Sequence, residues 1–393
     1  MDPMFTRLIH SATLVSDGVS QQDAWVGFEG TLVAGTGTGD SWRSRADAAT
    51  EVTDAGGDYL TPGFIDIHSH GAAGAAFDDG PAAIAQALTA HRSHGTTRSV
   101  ISLISASPEK LLANLATVAE LARHDPLILG SHLEGPFIDQ EFRGAHDPAV
   151  LRSPTAAEID QLLKAADGTL RQITLAPELA RGSDAIAAFV AAGVRVAVGH
   201  TAATYAETRA AFEAGASILT HAFNAMREIH HRAPGPVAAA FQAPGVTLEV
   251  INDGVHVHPN VVNMLFASAP GRIALVTDAM AAACAGDGQY ELGSLNVIVT
   301  DGVARLSDSG VIAGSTLTMD AAVRRAITDV GLSVPQAVAA ATAVPARAVG
   351  REGDLGSLAP GFAADAVLLD RDFRVRAVWA AGVELPLIEH PDA

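Results

Sequence analysis

Six apolar runs of this chain each end at an imidazole or a carboxylate. FIDIHSH ends at His68 and His70, ILGSHLE at Glu134, VRVAVGH at His200 and SILTH at His221. TLEVIND runs into Asp253, with His256 just beyond, and IALVTD stops at Asp278. Imidazole and carboxylate ligands gathered at one end of a parallel sheet can hold a divalent metal and leave a position for water. A bound metal lowers the pKa of that water from 15.7 to about 7, which makes hydroxide available near neutral pH. The series predicts a metal-dependent hydrolase.

The residue types suggest a division of labour. His68 and His70 stand at i and i+2 of a strand, so both imidazoles point to the same face. Glu134, followed by Gly135-Pro136, needs a metal, an arginine or water if it is buried. His200 and His221 repeat the design on two later strands. Asp278 closes the last strand, where a carboxylate can take a proton from metal-bound water and deliver it to a leaving group. A second layer can bind substrate. Asn224 and Ala225 follow His221 closely, and Arg232 lies in the loop HHRAPGPV, where a guanidinium can grip a phosphate or carboxylate. His146 and His256 are loop histidines able to hydrogen-bond a polyhydroxyl or anionic ligand. His132 and the remaining histidines are assigned no role.

These residues need a scaffold that brings strand ends together. From about Leu60 to Asp278 a strand-then-helix alternation recurs, the signature of a parallel sheet with crossover helices. The strands fall at Gly63–Ser69, Thr97–Ile104, Ile128–Leu133, Gln172–Ala176, Val194–Gly199, Ser217–Thr220, Thr247–Asn252 and Arg272–Thr277. Ala-rich stretches of helical spacing lie between most of them, and several end in Gly, the residue expected past a helix C-terminus. Eight such strands predict an α/β fold, a (β/α)₈ TIM-like barrel. A doubly wound open sheet would gather ligands near one switch point, whereas here polar residues close most strands. The flanks, residues 1–58 and 354–393, alternate short β-like runs with turns, and neither is long enough for its own core. They are expected to pair as one small β-sandwich domain beside a barrel domain over 59–353.

Composition narrows the partners. The chain has 393 residues, 48% hydrophobic and only 5% aromatic, so its core is built from Ala, Val, Leu and Ile. A net charge of −19 argues against a nucleic-acid surface, which needs clustered cations. An anionic substrate stays possible, because a pocket can be locally positive on an acidic protein. Cys284 is the only cysteine, which excludes disulfides and thiolate metal clusters. Lys110 and Lys164 are the only lysines, and both sit in helical patterns, so a lysine bridging two metals is not expected. The N-terminus lacks the pattern of a signal peptide, and the longest apolar stretch is interrupted by Arg195. A cytoplasmic protein with no membrane segment is the expectation. No phosphate-cradling or dinucleotide fingerprint occurs.

The segments PGFIDIHSHG, HLEGPF, GHT, THAFNAM, NDGVHV, TDAM and GSLAPGFAADAVLLD carry a family resemblance. Through nearly the whole chain, in collinear order, it resembles the amidohydrolase superfamily and, within that, the N-acetylglucosamine-6-phosphate deacetylase family. The resemblance implies a barrel with a β-sandwich from both termini, and a homodimer. It implies that Glu134, His200 and His221 are the main metal ligands and Asp278 the general acid/base. It implies substrate contacts at Ala145-His146, Asn224-Ala225, Arg232, the Asp253–His256 segment and Ile312, Ala313 and Gly314, with Arg232 serving the neighbouring subunit's site. Because His68 and His70 are kept, one or two divalent metals per subunit are expected; Zn, Fe, Mn and Co all suit these ligands. The reaction implied is hydrolysis of N-acetyl-D-glucosamine 6-phosphate to D-glucosamine 6-phosphate and acetate. Two other readings stay open: an amidohydrolase acting on a cyclic amide or amine, and a non-catalytic assembly protein on the same scaffold.

Overall fold

The structure, a computed structural model, describes residues 4–388. The extreme ends of the two flanks expected to pair, 1–3 and 389–393, lie outside the described residues. Eight strands form one sheet in sequential order: β1 (Phe64–Ser69), β2 (Thr96–Ile104), β3 (Ile128–Glu134), β4 (Leu170–Leu175), β5 (Arg195–Val198), β6 (Ile218–Leu219), β7 (Thr247–Ile251) and β8 (Ile273–Val276). The registers from β2 to β8 are parallel throughout. The Asp278 N–H donates to the His68 carbonyl at 2.8 Å, which draws the end of β8 to the end of β1 and nearly closes the barrel. Each strand expected from the sequence is present, its ends displaced by no more than two residues. Strands β2, β3 and β7 are buried at every position, on both faces, so their apolar residues do not alternate with solvent-facing polar ones.

The crossover helices have local causes. Ser107 caps Pro108–His124 by accepting from the Lys110 N–H, with proline at the first helical position where no N–H is needed. Thr204 and Glu207 form a reciprocal capping box at the start of Tyr205–Glu213. The helix Ala156–Ala166 turns Ile159, Leu162 and Ala166 inward, three or four residues apart, and its outer face is polar.

The chain divides into two compact units. One gathers the residues up to Asp66, Ala90–Arg98 and the chain from Met319 onward; the other comprises Ile67–Thr89 and Ser99–Thr318. The first holds an eight-stranded sheet made from both flanks, in the order Val383–Leu385, Val375–Ala380, Ala366–Leu369, Tyr59–Pro62, Arg7–Ser16, Val19–Glu29 and Leu32–Thr38, with Glu51–Asp54 also on Arg7–Ser16. That long strand has Val19–Glu29 on one edge, in a register that breaks between Ile9 and Ala12 around Ser11 at φ 55°, and two partners in succession on the other. Before the break Arg7–His10 pairs with Glu51–Asp54, and beyond it Thr13 and Leu14 pair with Tyr59 and Leu60. Val26, Phe28, Leu60, Leu368 and Trp379 fill the core of this sheet.

These units are bounded differently from the division expected at 58/59 and 353/354. Tyr59–Pro62 is a strand of the terminal sheet, and the helices Met319–Thr328, Val334–Ala341 and Ala343–Ala348 group with the terminal unit. Pairing partners distant in sequence decide membership here, and composition does not reveal them. A three-stranded antiparallel sheet, Gly288–Leu292, Leu295–Thr300 and Val303–Leu306, follows β8 and was not foreseen. Its apolar face (Leu292, Val297, Val299, Leu306) packs with Met280, Ala282 and Ala313.

Candidate metal centre and active site

At the C-terminal ends of the strands, within the second unit, the ring nitrogens of His68, His70, His146, His200 and His221 all point at Glu134. Glu134 Oε1 lies 3.1 Å from His200 Nε2, 3.1 Å from His221 Nε2 and 3.2 Å from His68 Nε2. Its Oε2 lies 3.2 Å from His70 Nε2 and 3.3 Å from His146 Nε2. Asp278 Oδ1 closes the far side, 3.3 Å from His70 Nε2 and 3.5 Å from His68 Nε2. Glu134 thus stands between two donor groups, His68–His70–Asp278 and His146–His200–His221. All seven side chains are buried.

Sharp strand exits aim these groups. His200, His221 and Asp278, each two residues past the end of β5, β6 and β8, have φ of 47°, 25° and 48°. Left-handed backbone at a residue with a Cβ costs of order 1–3 kcal/mol, and it persists where the surroundings over-determine it. The turn makes each side chain face the barrel mouth instead of continuing the strand's alternation. Gly135, at φ 82°, turns the chain just after Glu134; a Cβ there would stand 2.2 Å from Ser105 Oγ. That hydroxyl donates to the Glu134 carbonyl at 3.1 Å and accepts from His146 Nδ1 at 2.9 Å.

The hydrogen bonds also decide which ring nitrogens carry protons. The Phe142 carbonyl, which can only accept, lies 3.0 Å from His200 Nδ1, so that nitrogen is the donor. The Glu249 carboxylate does the same for His68 Nδ1 at 3.1 Å, and Ser105 for His146. In the neutral rings the Nε2 lone pairs of His68, His146 and His200 therefore face carboxylate oxygens. Lone pair against lone pair is repulsive unless positive charge lies between, and imidazole nitrogens with carboxylate oxygens are the donors a divalent cation takes. The residues fit such a group.

The electrostatics say the same. Burial pulls the His68 pKa down, but the Glu134 and Asp278 carboxylates outweigh it and hold it well above the usual value. His70 is raised to about 9: burial opposes, and Asp278 and Glu134 prevail. Burial alone would raise Glu134 and Asp278, yet both are lowered, chiefly by the charge of His68. The cluster draws positive charge, whether protons or a metal. His146 moves the other way, down to about 4, because burial exceeds the pull of Glu134.

The cluster floors a cavity of about 410 Å³. Ala145, His146, Asn224, Ala225, His256, Ile312 and Gly314, seven of the expected substrate-contacting residues, line it, as do Arg143, Leu292 and Val311. Three others do not. Asp253 accepts from the Val255 and His256 N–H groups at 2.8 Å and meets His256 Nδ1 at 2.7 Å, so it aims His256 from within its own turn. Burial would lower the His256 pKa, but Asp253 raises it. Ala313 is buried in the packing against Met280. Arg232 is exposed on its loop, where its Nη1 meets His231 Nε2 at 2.6 Å, and it is absent from the cavity wall.

A polar layer beneath the cluster escaped the sequence reading. His132, given no role there, joins Ser102 Oγ (2.9 Å) and Thr174 Oγ1 (2.8 Å) and packs edge-on against His68. Glu249 and Gln172 lie fully buried beside it. The available signal was a charge inside the apolar run TLEVI, which is costly to bury without partners.

The profile of the Amidohydrolase family matches residues 59–385. The chain is 39% identical over 335 residues to the N-acetylgalactosamine-6-phosphate deacetylase of Escherichia coli O157:H7, covering 84% of this chain and 89% of the relative. It is 38% identical over 349 residues to the N-acetylglucosamine-6-phosphate deacetylase of Mus musculus, 85% of each being covered. Among solved structures, N-acetyl-D-glucosamine-6-phosphate deacetylase from Mycobacterium smegmatis, a variant in complex with N-acetyl-D-glucosamine-6-phosphate, superposes with a TM-score of 0.91 at 41% identity. That match covers 96% of this chain and 99% of that one.

Proposed function

The chain belongs to the amidohydrolase family, and on that premise we propose that it hydrolyses N-acetyl-D-glucosamine 6-phosphate to D-glucosamine 6-phosphate and acetate. It is a hydrolase of linear amides working in amino-sugar metabolism. The observation that carries the reading is Asp278: a carboxylate on the cavity wall, 3.3 Å from His70 Nε2, at the edge of a five-histidine cluster around Glu134. A cyclic-amide or amine hydrolase would share the cluster but has no use for the sugar-phosphate contacts.

Glu134, His200, His221, His68 and His70 would hold one or two divalent cations, with zinc the metal we assign. When bound, the metal polarises the acetyl carbonyl and acidifies water. Asp278 takes the proton of the attacking water. It then gives the proton to the departing amine nitrogen, so that the C–N bond breaks with a neutral amine leaving. His146 and His256 hold the sugar hydroxyls, and Asn224 with the Ala225 backbone holds the far end. The phosphate calls for a cation. Arg232, exposed and off its own cavity wall, supplies it to the site of a second copy in a homodimer. A cytoplasmic setting belongs to the same reading, since a sugar phosphate is too polar to leave through a bilayer.

Purified protein loaded with Zn(II) is expected to release acetate from N-acetylglucosamine 6-phosphate faster than from the unphosphorylated sugar. Asp278→Asn is expected to fold, keep its metal and lose roughly 10²–10⁴-fold in turnover. A variant with parental turnover would remove Asp278 as the base; a parent inactive on every N-acetyl sugar phosphate would remove the substrate.

A further inference from the structure

Glu249 lies in mid-strand on β7, 0% exposed, with both carboxylate oxygens engaged. Oε1 accepts from Gln172 Nε2 at 2.7 Å. Oε2 accepts from His68 Nδ1 at 3.1 Å and from the His221 backbone N–H at 3.4 Å. A carboxylate can only accept, so the contact leaves His68 one tautomer, with the proton on Nδ1 and the Nε2 lone pair toward Glu134 and Asp278. Gln172 has one orientation compatible with this, its NH₂ toward Glu249, and so clamps the carboxylate from the other side. Through Oε2 the same group reaches the backbone of His221, tying β1 to β6 across the barrel interior.

We infer that Glu249 is a positioning residue for the metal centre: clamped by Gln172, it holds the His68 ring as the Nδ1–H tautomer and turns Nε2 onto a cation shared with His70 and Asp278. The inference rests on reading His68 as a ligand. Three physical consequences follow from the geometry. Glu249 makes the imidazole a better donor, because a carboxylate at Nδ1–H pushes electron density toward Nε2. It restricts the rotation of the His68 ring by holding Nδ1 at 3.1 Å. Its charge adds to those of Glu134 and Asp278, so the half of the site built on His68 holds a cation more strongly than its two imidazoles alone would. The half built on Glu134, His200 and His221 takes its ring orientation from Phe142 and is touched by Glu249 only through a backbone N–H.

The test is Co(II) titration of metal-free protein, following the visible ligand-field bands and the metal bound per chain after dialysis. The component of binding that belongs to His68 is the one lost in His68→Gln. In Glu249→Gln, which keeps the shape and the packing but not the charge, that component is expected to weaken about 10–100-fold. Its spectrum should change, and the melting temperature should stay near the parental value. In the His68→Gln background the Glu249→Gln substitution should weaken Co(II) binding no further. A Glu249→Gln protein that binds Co(II) as tightly as the parent overturns the proposal, and so does an equal further loss in the His68→Gln background, which marks a merely structural role. If Glu249→Gln does not fold, Gln172→Leu replaces it: the same component should weaken, and unchanged binding overturns the clamp. A parent that binds no Co(II) overturns the metal reading itself, which separates that failure from the failure of Glu249.

Discussion

At His200 the carbonyl of Phe142 decides which ring nitrogen carries the proton, and at His68 and His146 a carboxylate and a serine hydroxyl do so. Each site histidine with a fixed tautomer thus presents a bare Nε2 to an anionic centre. Electrostatics outside that cluster also leave a measurable trace. Asp78 is buried, and burial lifts its pKa from an ordinary 3.8 to about 6, with His70, Lys110 and the Ile104 N–H pulling the other way. A carboxyl whose folded pKa is raised destabilises the fold when ionised, so its cost is absent below about pH 4 and complete above about pH 6. Asp78→Asn removes that cost. Thermal denaturation should show the variant more stable than the parent by roughly 2–3 kcal/mol at pH 7.5, with the gain shrinking to nothing as the pH falls through 6 toward 4. A gain independent of pH would assign the effect to packing.

Among the elements, the strand exits carry the function. Three of the functional side chains leave their strands through left-handed backbone, and the loop after β3 turns at Gly135. The barrel's hydrogen bonds absorb that strain, as the Asp278 N–H to His68 carbonyl bond illustrates. Gly135 combines a positive φ with a Cβ position overlapping Ser105 Oγ, the hydroxyl that holds both Glu134 and His146. Gly135→Ala should therefore cost about 1–3 kcal/mol of stability and displace Ser105. Calorimetry measures the first effect. A fall in kcat/KM larger than the lost stability explains, at a temperature where the variant is fully folded, measures the second.

For the whole molecule the decisive question is what reaches the substrate's phosphate. Arg143 lines the cavity from its own chain, whereas Arg232 stands exposed and away from it. If Arg232 completes the site of a second copy, two crippled proteins can repair each other. Arg232→Ala and Asp278→Asn, each weakly active alone, would form mixed dimers in which one site of two has both its Asp278 and the neighbour's Arg232. Random mixing makes half the dimers mixed, so about a quarter of parental activity should return when the two are refolded together. Activity no greater than the mean of the separate variants would place Arg232 at its own site or at none.

The period and the punctuation of the sequence were enough to read the barrel. Eight apolar runs spaced by helical stretches admit few packings, because a strand buried on both faces must be covered by its own crossovers. The polar residue closing each run could be read for the same reason: past the buried strand it is the first side chain able to face the mouth. Where the chain divides was beyond the sequence, since Tyr59–Pro62 sits in the terminal sheet between Arg7–Ser16 and Ala366–Leu369, from opposite ends of the chain. So were Glu249 and Gln172, whose meaning appears only when β4 and β7 bring them to one carboxylate–amide pair beneath His68. Local chemistry wrote the ligands into the strand ends. Tautomers and the pairing of the terminal strands were settled by contacts between distant segments, which no local pattern encodes.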